Sequence, residues 1–305
     1  MENIIIKANQ YLVRGSCLIS QLLTYCPYIK EPYLMYTIAE YIDKLDVLGS
    51  MKVYESTNCC KAYQNRLYHI ATDYDLSSND ISKAIRSGYL RSSKRFHHEL
   101  YNSDEKRSIA FCGSTVFTCL PTRNCIAMFD YDGKSKGIIN GFMEPYNCYA
   151  YDDRLYVFES LGPSTQIKVT VLKDTNPILF SFDIDSVYIH QDMVIFNDII
   201  YVLVKLRKDI DENVVMLRTF TLDGRLTKEV CIDQHVEVMS YADYEMCMFR
   251  ERLVISTKSD GMLYFFGLDL KFLFEFGVDQ WVECVCCDSN HIYVFTEHQE
   301  LYIYG

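Results

Sequence analysis

The phrase Asp153-Arg154-Leu155-Tyr156-Val157-Phe158-Glu159 joins a polar turn to an alternating apolar strand, and it recurs along the chain. Clear copies are Asp198-Ile199-Ile200-Tyr201-Val202-Leu203, Glu251-Arg252-Leu253-Val254-Ile255-Ser256 and Asn290-His291-Ile292-Tyr293-Val294-Phe295. Weaker copies begin at Asn65 and Gly113. Aligned on their first apolar residue (Leu67, Val116, Leu155, Ile200, Leu253, Ile292), the copies are 49, 39, 45, 53 and 39 residues apart. A period near 45 is long enough for four short strands and too short for an independent domain, so the copies must stack to share a core.

Each unit repeats one grammar. A short apolar strand precedes the phrase, as in Asn147-Cys148-Tyr149-Ala150-Tyr151 or Met193-Val194-Ile195-Phe196. The phrase is the second strand. A third strand runs into an Asp-Gly turn, as in Cys125 to Gly133 and Met216 to Gly224, and a less apolar fourth follows, as in Leu226 to Ile232. Asp-Gly between two strands supplies the positive φ that a tight hairpin needs. The sixth unit stops after Leu301-Tyr302-Ile303-Tyr304, one strand short, while a single strand near Met51–Glu55 precedes the first unit. If that strand supplies the missing outer member, the ring has no exposed edges.

These units resemble the β-propeller superfamily, and within it the six-bladed NHL-like type; Leu155-Tyr156-Val157, Ile292-Tyr293-Val294 and Met128-Phe129-Asp130-Tyr131-Asp132-Gly133 carry the resemblance. Trp281 is the only tryptophan and no Trp-Asp dipeptide occurs, which sets the chain apart from WD repeats. The expected fold is all-β, a six-bladed β-propeller over 50–305 closed by an N-terminal strand. A short helical hairpin over 1–49 precedes it. Ile19, Leu22, Leu23 and Cys26 form one helical stripe and Leu34, Ile38, Ile42 and Leu45 a second, a candidate docking face, with Gly49 as the stop.

Net charge is −11, which argues against a general nucleic-acid surface or affinity for anionic membranes, because both need excess cations. Met1–Lys7 shows no secretory leader, and no apolar run is long enough to span a membrane. The 13 cysteines are therefore expected reduced, in the cytoplasm. One basic run stands out: Lys83, Arg86, Arg91, Lys94 and Arg95, a solvated face or a contact for an anion or acidic partner. Before it, Ser77-Ser78-Asn79-Asp80 is a candidate helix cap.

Candidate chemistry is sparse. Asp153, Asp198, Glu283 and Asp288 are acids near strand ends, but turn geometry alone favours Asp there. Cys284-Val285-Cys286-Cys287 with His291 lacks the second Cys pair of a structural zinc site, so these thiols are expected as buried small hydrophobes. No catalytic residue, metal or cofactor is assigned. The expected function is a non-catalytic scaffold or complex subunit binding other proteins through face loops and the N-terminal helices. The resemblance leaves two alternatives, a lactonase-like metal-dependent hydrolase and an NHL-like RNA-binding propeller.

Overall fold

The computed structural model describes residues 47–53, 57–64, 66–71, 76–81, 89–90, 94–96, 108–160, 166–173, 176–185, 190–207, 213–236, 244–257, 261–278 and 280–305. These form six sheets, antiparallel but for one short parallel pairing. β1 is Val47–Val53. Sheet 1 holds β2 (Thr57–Tyr63), β3 (Arg66–Ala71), β4 (Leu76–Asp80) and, beyond β5 (Tyr89–Leu90), β6 (Lys94–Phe96). Sheet 2 is β7 (Ile109–Cys112), β8 (Thr115–Leu120), β9 (Cys125–Phe129) and β10 (Ser135–Asn140). Sheet 3 is β11 (Pro145–Tyr151), β12 (Arg154–Ser160), β13 (Gln166–Lys173) and β14 (Asn176–Asp185). Sheet 4 is β15 (His190–Phe196), β16 (Ile199–Arg207), β17 (Asn213–Thr221) and β18 (Leu226–Cys231). Sheet 5 is β19 (Tyr244–Phe249), β20 (Arg252–Thr257), β21 (Met262–Gly267) and β22 (Phe272–Gly277). Sheet 6 is β23 (Val282–Cys287), β24 (Ile292–Thr296) and β25 (Glu300–Tyr304), then β1 and the short parallel β5.

The first strands of the sheets touch in cyclic order: β2 meets β7, β7 meets β11, then β15, β19 and β23, which returns to β2. The buried core divides the same way, into six clusters at the six joints. The repeated phrase explains the division. Leu155 and Val157 face sheet 2, whereas Tyr156 and Phe158, one residue out of phase, face sheet 4. Strands buried on both faces need apolar residues at every position. The phrase tyrosines Tyr68, Tyr156, Tyr201 and Tyr293 are accordingly among the most buried large side chains.

The turns follow backbone chemistry. Asp152-Asp153, Asn197-Asp198 and Arg250-Glu251 all hold positive φ at both central positions, the two-residue geometry that matches strand twist. In the third-to-fourth-strand turns, Gly133 and Gly224 occupy the left-handed position. The sheet 5 turn puts Leu270 there at φ 63, and this leucine is buried in the joint with sheet 4. Its packing offsets the cost of the left-handed backbone.

At the N-terminal end one expectation needs correction. Residues 1–46, with Leu34, Ile38, Ile42 and Leu45, lie outside the described residues. Gly49 does not stop a helix: it sits inside β1, which starts at Val47 and ends at Val53. β1 lies antiparallel to β25, with Ser50 opposite Tyr302 and Met51 opposite Leu301. Ser77–Asp80 form most of β4, paired with β3 and β6, and the backbone turns helical at Ile81, directly after Asp80; 82–88 lie outside the described residues.

Candidate docking face and central channel

Stepping back three residues from the partner of each phrase's first apolar residue gives six equivalent positions on the innermost strands: Cys59, Ser108, Asn147, Asp192, Glu245 and Cys284. In β2, β11, β15 and β23 the register slips just before this position. Such a bulge re-aims the following side chain. From five of these positions a side chain reaches the next sheet around the ring. Ser108 Oγ donates to the Cys148 carbonyl at 3.0 Å. Asn147 Nδ2 donates to Asp192 Oδ1 at 2.8 Å. Asp192 Oδ2 accepts the Met246 N–H at 2.7 Å, and Glu245 Oε2 accepts the Val285 N–H at 2.9 Å. At the last joint Cys284 Sγ lies 3.0 Å from Cys60 Sγ.

Inside this belt, Lys61 of β2 reaches across the ring to sheet 3, its Nζ 4.9 Å from the centre of the Tyr149 ring. Burial opposes its charge, but Tyr149 and the Asp192 carboxylate outweigh that and hold the ammonium above the ordinary lysine range. A lysine held permanently cationic is an electrostatic cross-tie and a poor general base. Burial likewise pushes the Tyr149 hydroxyl up.

Among the described residues, the loops entering β11 and β23 lie on one face of the ring, half a ring apart, and each exposes a large apolar side chain. Met143, before β11, is 50% exposed, and Trp281, before β23, is 57% exposed. Both loops are pinned from beneath. The Met143 N–H donates to Glu159 Oε2 at 2.8 Å, and the adjacent Glu144 N–H donates to Asn124 Oδ1 at 2.9 Å. Glu159 is 1% exposed and is also bonded by Thr170 and ion-paired with Lys168 at 3.4 Å. Beside Trp281, Gln280 donates to Glu300 Oε2 (2.9 Å) and Tyr302 Oη (3.1 Å) and accepts from Thr296 Oγ1 (2.6 Å). The Trp281 carbonyl accepts the Glu297 N–H at 3.1 Å. Gly261 backs this loop at φ +65; a Cβ there would come within 2.7 Å of the Gln280 carbonyl oxygen and 2.8 Å of that of Val278. Only glycine permits that approach.

The opposite face carries the turns. Asp198 accepts from the Tyr151 hydroxyl at 3.1 Å, tying sheet 4 to sheet 3. Asp288 accepts the Asn290 and His291 N–H groups, both at 2.7 Å, and the Tyr293 hydroxyl at 2.7 Å. Burial raises the Asp288 carboxyl but these hydrogen bonds outweigh it, leaving the group below the usual carboxylate range. Glu283 lies near the start of β23, at the other end of the strand from Asp288. The four acids weighed in the sequence are therefore not brought together. Nor are the thiols gathered around His291: that ring faces Asp288 and Tyr293, while Cys284 meets Cys60 and Cys287 meets Cys247. Among the described residues no cluster of three or more His, Cys, Asp or Glu suits a metal ion. Every described cysteine is a free thiol.

Of the basic run, Lys94 and Arg95 lie in β6, opposite Ser78 and Ser77. Lys83, Arg86 and Arg91 lie outside the described residues. Sequence reasoning missed Lys61, Asp192, Glu245 and the loop-pinning Glu159. The first three announce themselves only once the six innermost strands are aligned in register.

No family model matches the chain, and no curated protein matches it. Solved structures do. The β-propeller domain of Cps50 (Swd1) from Myceliophteria thermophila superposes with a TM-score of 0.53 at 9% identity, over 83% of this chain and 98% of that one. The fold is a β-propeller. Hydrazine synthase of Kuenenia stuttgartiensis matches with a TM-score of 0.57 at 10% identity, over 84% of this chain and 97% of that one. At such identity the likeness is one of fold, and the propeller's function must be read from its own faces. No described helix is long and apolar enough to cross a membrane.

Proposed function

We propose that the protein is a non-catalytic interaction scaffold, a six-bladed propeller of NHL-like type closed by β1 against β25, that holds partner proteins on the face bearing Met143 and Trp281. The observation that carries this reading is Trp281. The chain's single tryptophan stands 57% exposed on a loop fixed by side-chain and backbone hydrogen bonds. A large amphipathic side chain held rigid in solvent binds with little ordering cost, and tryptophan is enriched among residues that dominate interface energy. The belt of joints supports the same reading. Its lysine, acids and amide are spent on contacts between blades, which suits a rigid platform. The acidic total favours protein partners over nucleic acid.

Affinity purification of the full chain from its native cells, run beside Trp281→Ser/Met143→Ser, tests this. Loss of stoichiometric partners in the face variant is expected, together with their retention in a rim variant, Leu226→Ser/Leu273→Ser. Equal recovery in both variants, or no stoichiometric partner of the unaltered protein, contradicts the reading.

A further inference from the structure

We infer that Cys60 and Cys284 form a disulfide site that staples the ring across the joint between its first and last sheets. The pairing is not a chance meeting of two thiols. Cys284 occupies the innermost-strand position from which Ser108, Asp192 and Glu245 also reach the following sheet. Its target, Cys60, occupies the place held by Cys148, Met246 and Val285 at the other joints. The position that elsewhere carries a directed hydrogen bond here carries two sulfurs 3.0 Å apart.

The residues are 224 apart in sequence, nearly the length of the ring. No other described joint brings together segments so distant. A covalent bond there encloses five of the six sheets in one loop, and in the chain-entropy account a longer loop restrains the unfolded chain more. The site is dry: Cys60 is 5% and Cys284 0% exposed. Burial raises the Cys60 thiol, so the attacking thiolate is scarce and the bond forms slowly.

A peroxide balances the step. The Cys60 thiolate attacks the O–O bond, giving a sulfenic acid and releasing one water after proton transfer. The Cys284 sulfur then attacks the Cys60 sulfur, forming the S–S bond and expelling the second water. The two sulfurs together lose two electrons and two protons, and the peroxide is reduced to two waters.

The experiment uses the reduced full chain, treated with hydrogen peroxide over hours, blocked with iodoacetamide and mapped by mass spectrometry without reduction. The expected result is a linked peptide pair containing Cys60 and Cys284. A rise in Tm on the order of 10 °C should accompany it, reversed by dithiothreitol and absent in Cys60→Ser. The mapping is done on the unaltered protein, so it stands even if that variant fails to fold. Free thiols at both positions, a link from Cys60 to the neighbouring Cys286, or a link with unchanged Tm would overturn the inference. Partner capture plays no part in the readout, so the outcome is independent of the proposed docking face.

Discussion

At the joint between sheets 4 and 5, Asp192 accepts the Met246 N–H with a carboxylate oxygen; at the joint between sheets 6 and 1, the equivalent Cys284 faces Cys60 with a sulfur. The first joint joins consecutive segments and is fixed by charge-assisted hydrogen bonds, about twice as strong as neutral ones. The second joins segments from opposite ends of the described chain and rests on packing, where Val53, Leu67, Tyr293, Phe295, Leu301 and Ile303 surround the two thiols. One geometric position thus serves two kinds of adhesion, one directional and insensitive to redox, the other apolar and convertible to a covalent bond.

The largest effects of single substitutions should fall on the acid joints. Asp192→Ala leaves the Met246 N–H and the Asn147 amide without their acceptor, and Glu245→Ala does the same to the Val285 N–H. Each should cost about 2–4 kcal/mol in denaturant unfolding. Cys284→Ala at the thiol joint removes one small buried atom and its weak contact to the Cys60 sulfur, and should cost about 1 kcal/mol. Equal costs at the two joints would erase the distinction.

A smaller effect separates the joints by pH. On the chain between sheets 4 and 5, the His235 ring stacks on Phe272 with centroids 4.2 Å apart, and burial lowers its pKa. Between that lowered value and the ordinary histidine value the unfolded chain binds more protons, so stability is full above about pH 6.5 and falls as pH drops below it. The nearby Glu275 opposes the shift. The fall in Tm between pH 7.5 and 5.5 should be smaller in His235→Phe than in the unaltered protein.

The smallest effect is a gain. Glu251 holds φ 59 in a turn that favours Gly or Asn. Glu251→Gly should stabilise by about 0.5–1 kcal/mol, read as a higher denaturant midpoint at unchanged slope.

The strand grammar was legible because it is local. Leu155 to Phe158 must be apolar at every position to be buried on both faces, and that pattern survives in each copy. Turn chemistry at Asp153 and Asp198 was legible for the same reason. The belt of joints was not. Asp192 and Glu245 look like ordinary strand acids until the bulge in β15 just before Asp192 and the alignment of six innermost strands turn them toward a neighbouring sheet. Sheet 1 was the hardest part to read: the polar Leu76–Asp80 carries no strand pattern, and only its pairing with β3 and β6 makes it a strand. Trp281 drew notice only as the lone tryptophan, because exposure depends on the Gln280 and Gly261 contacts beneath it.

Closure of the ring at sheet 6 is the central claim, and hydrogen exchange on the full chain tests it most directly. Neighbouring N–H groups of a strand point in opposite directions, so Ser50→Pro/Met51→Pro must remove one donor facing β25. Amides of Leu301–Tyr304 should then exchange about tenfold faster or more, while those of Leu253–Ile255 in sheet 5 keep their protection. Unchanged protection at Leu301–Tyr304 would contradict closure by β1.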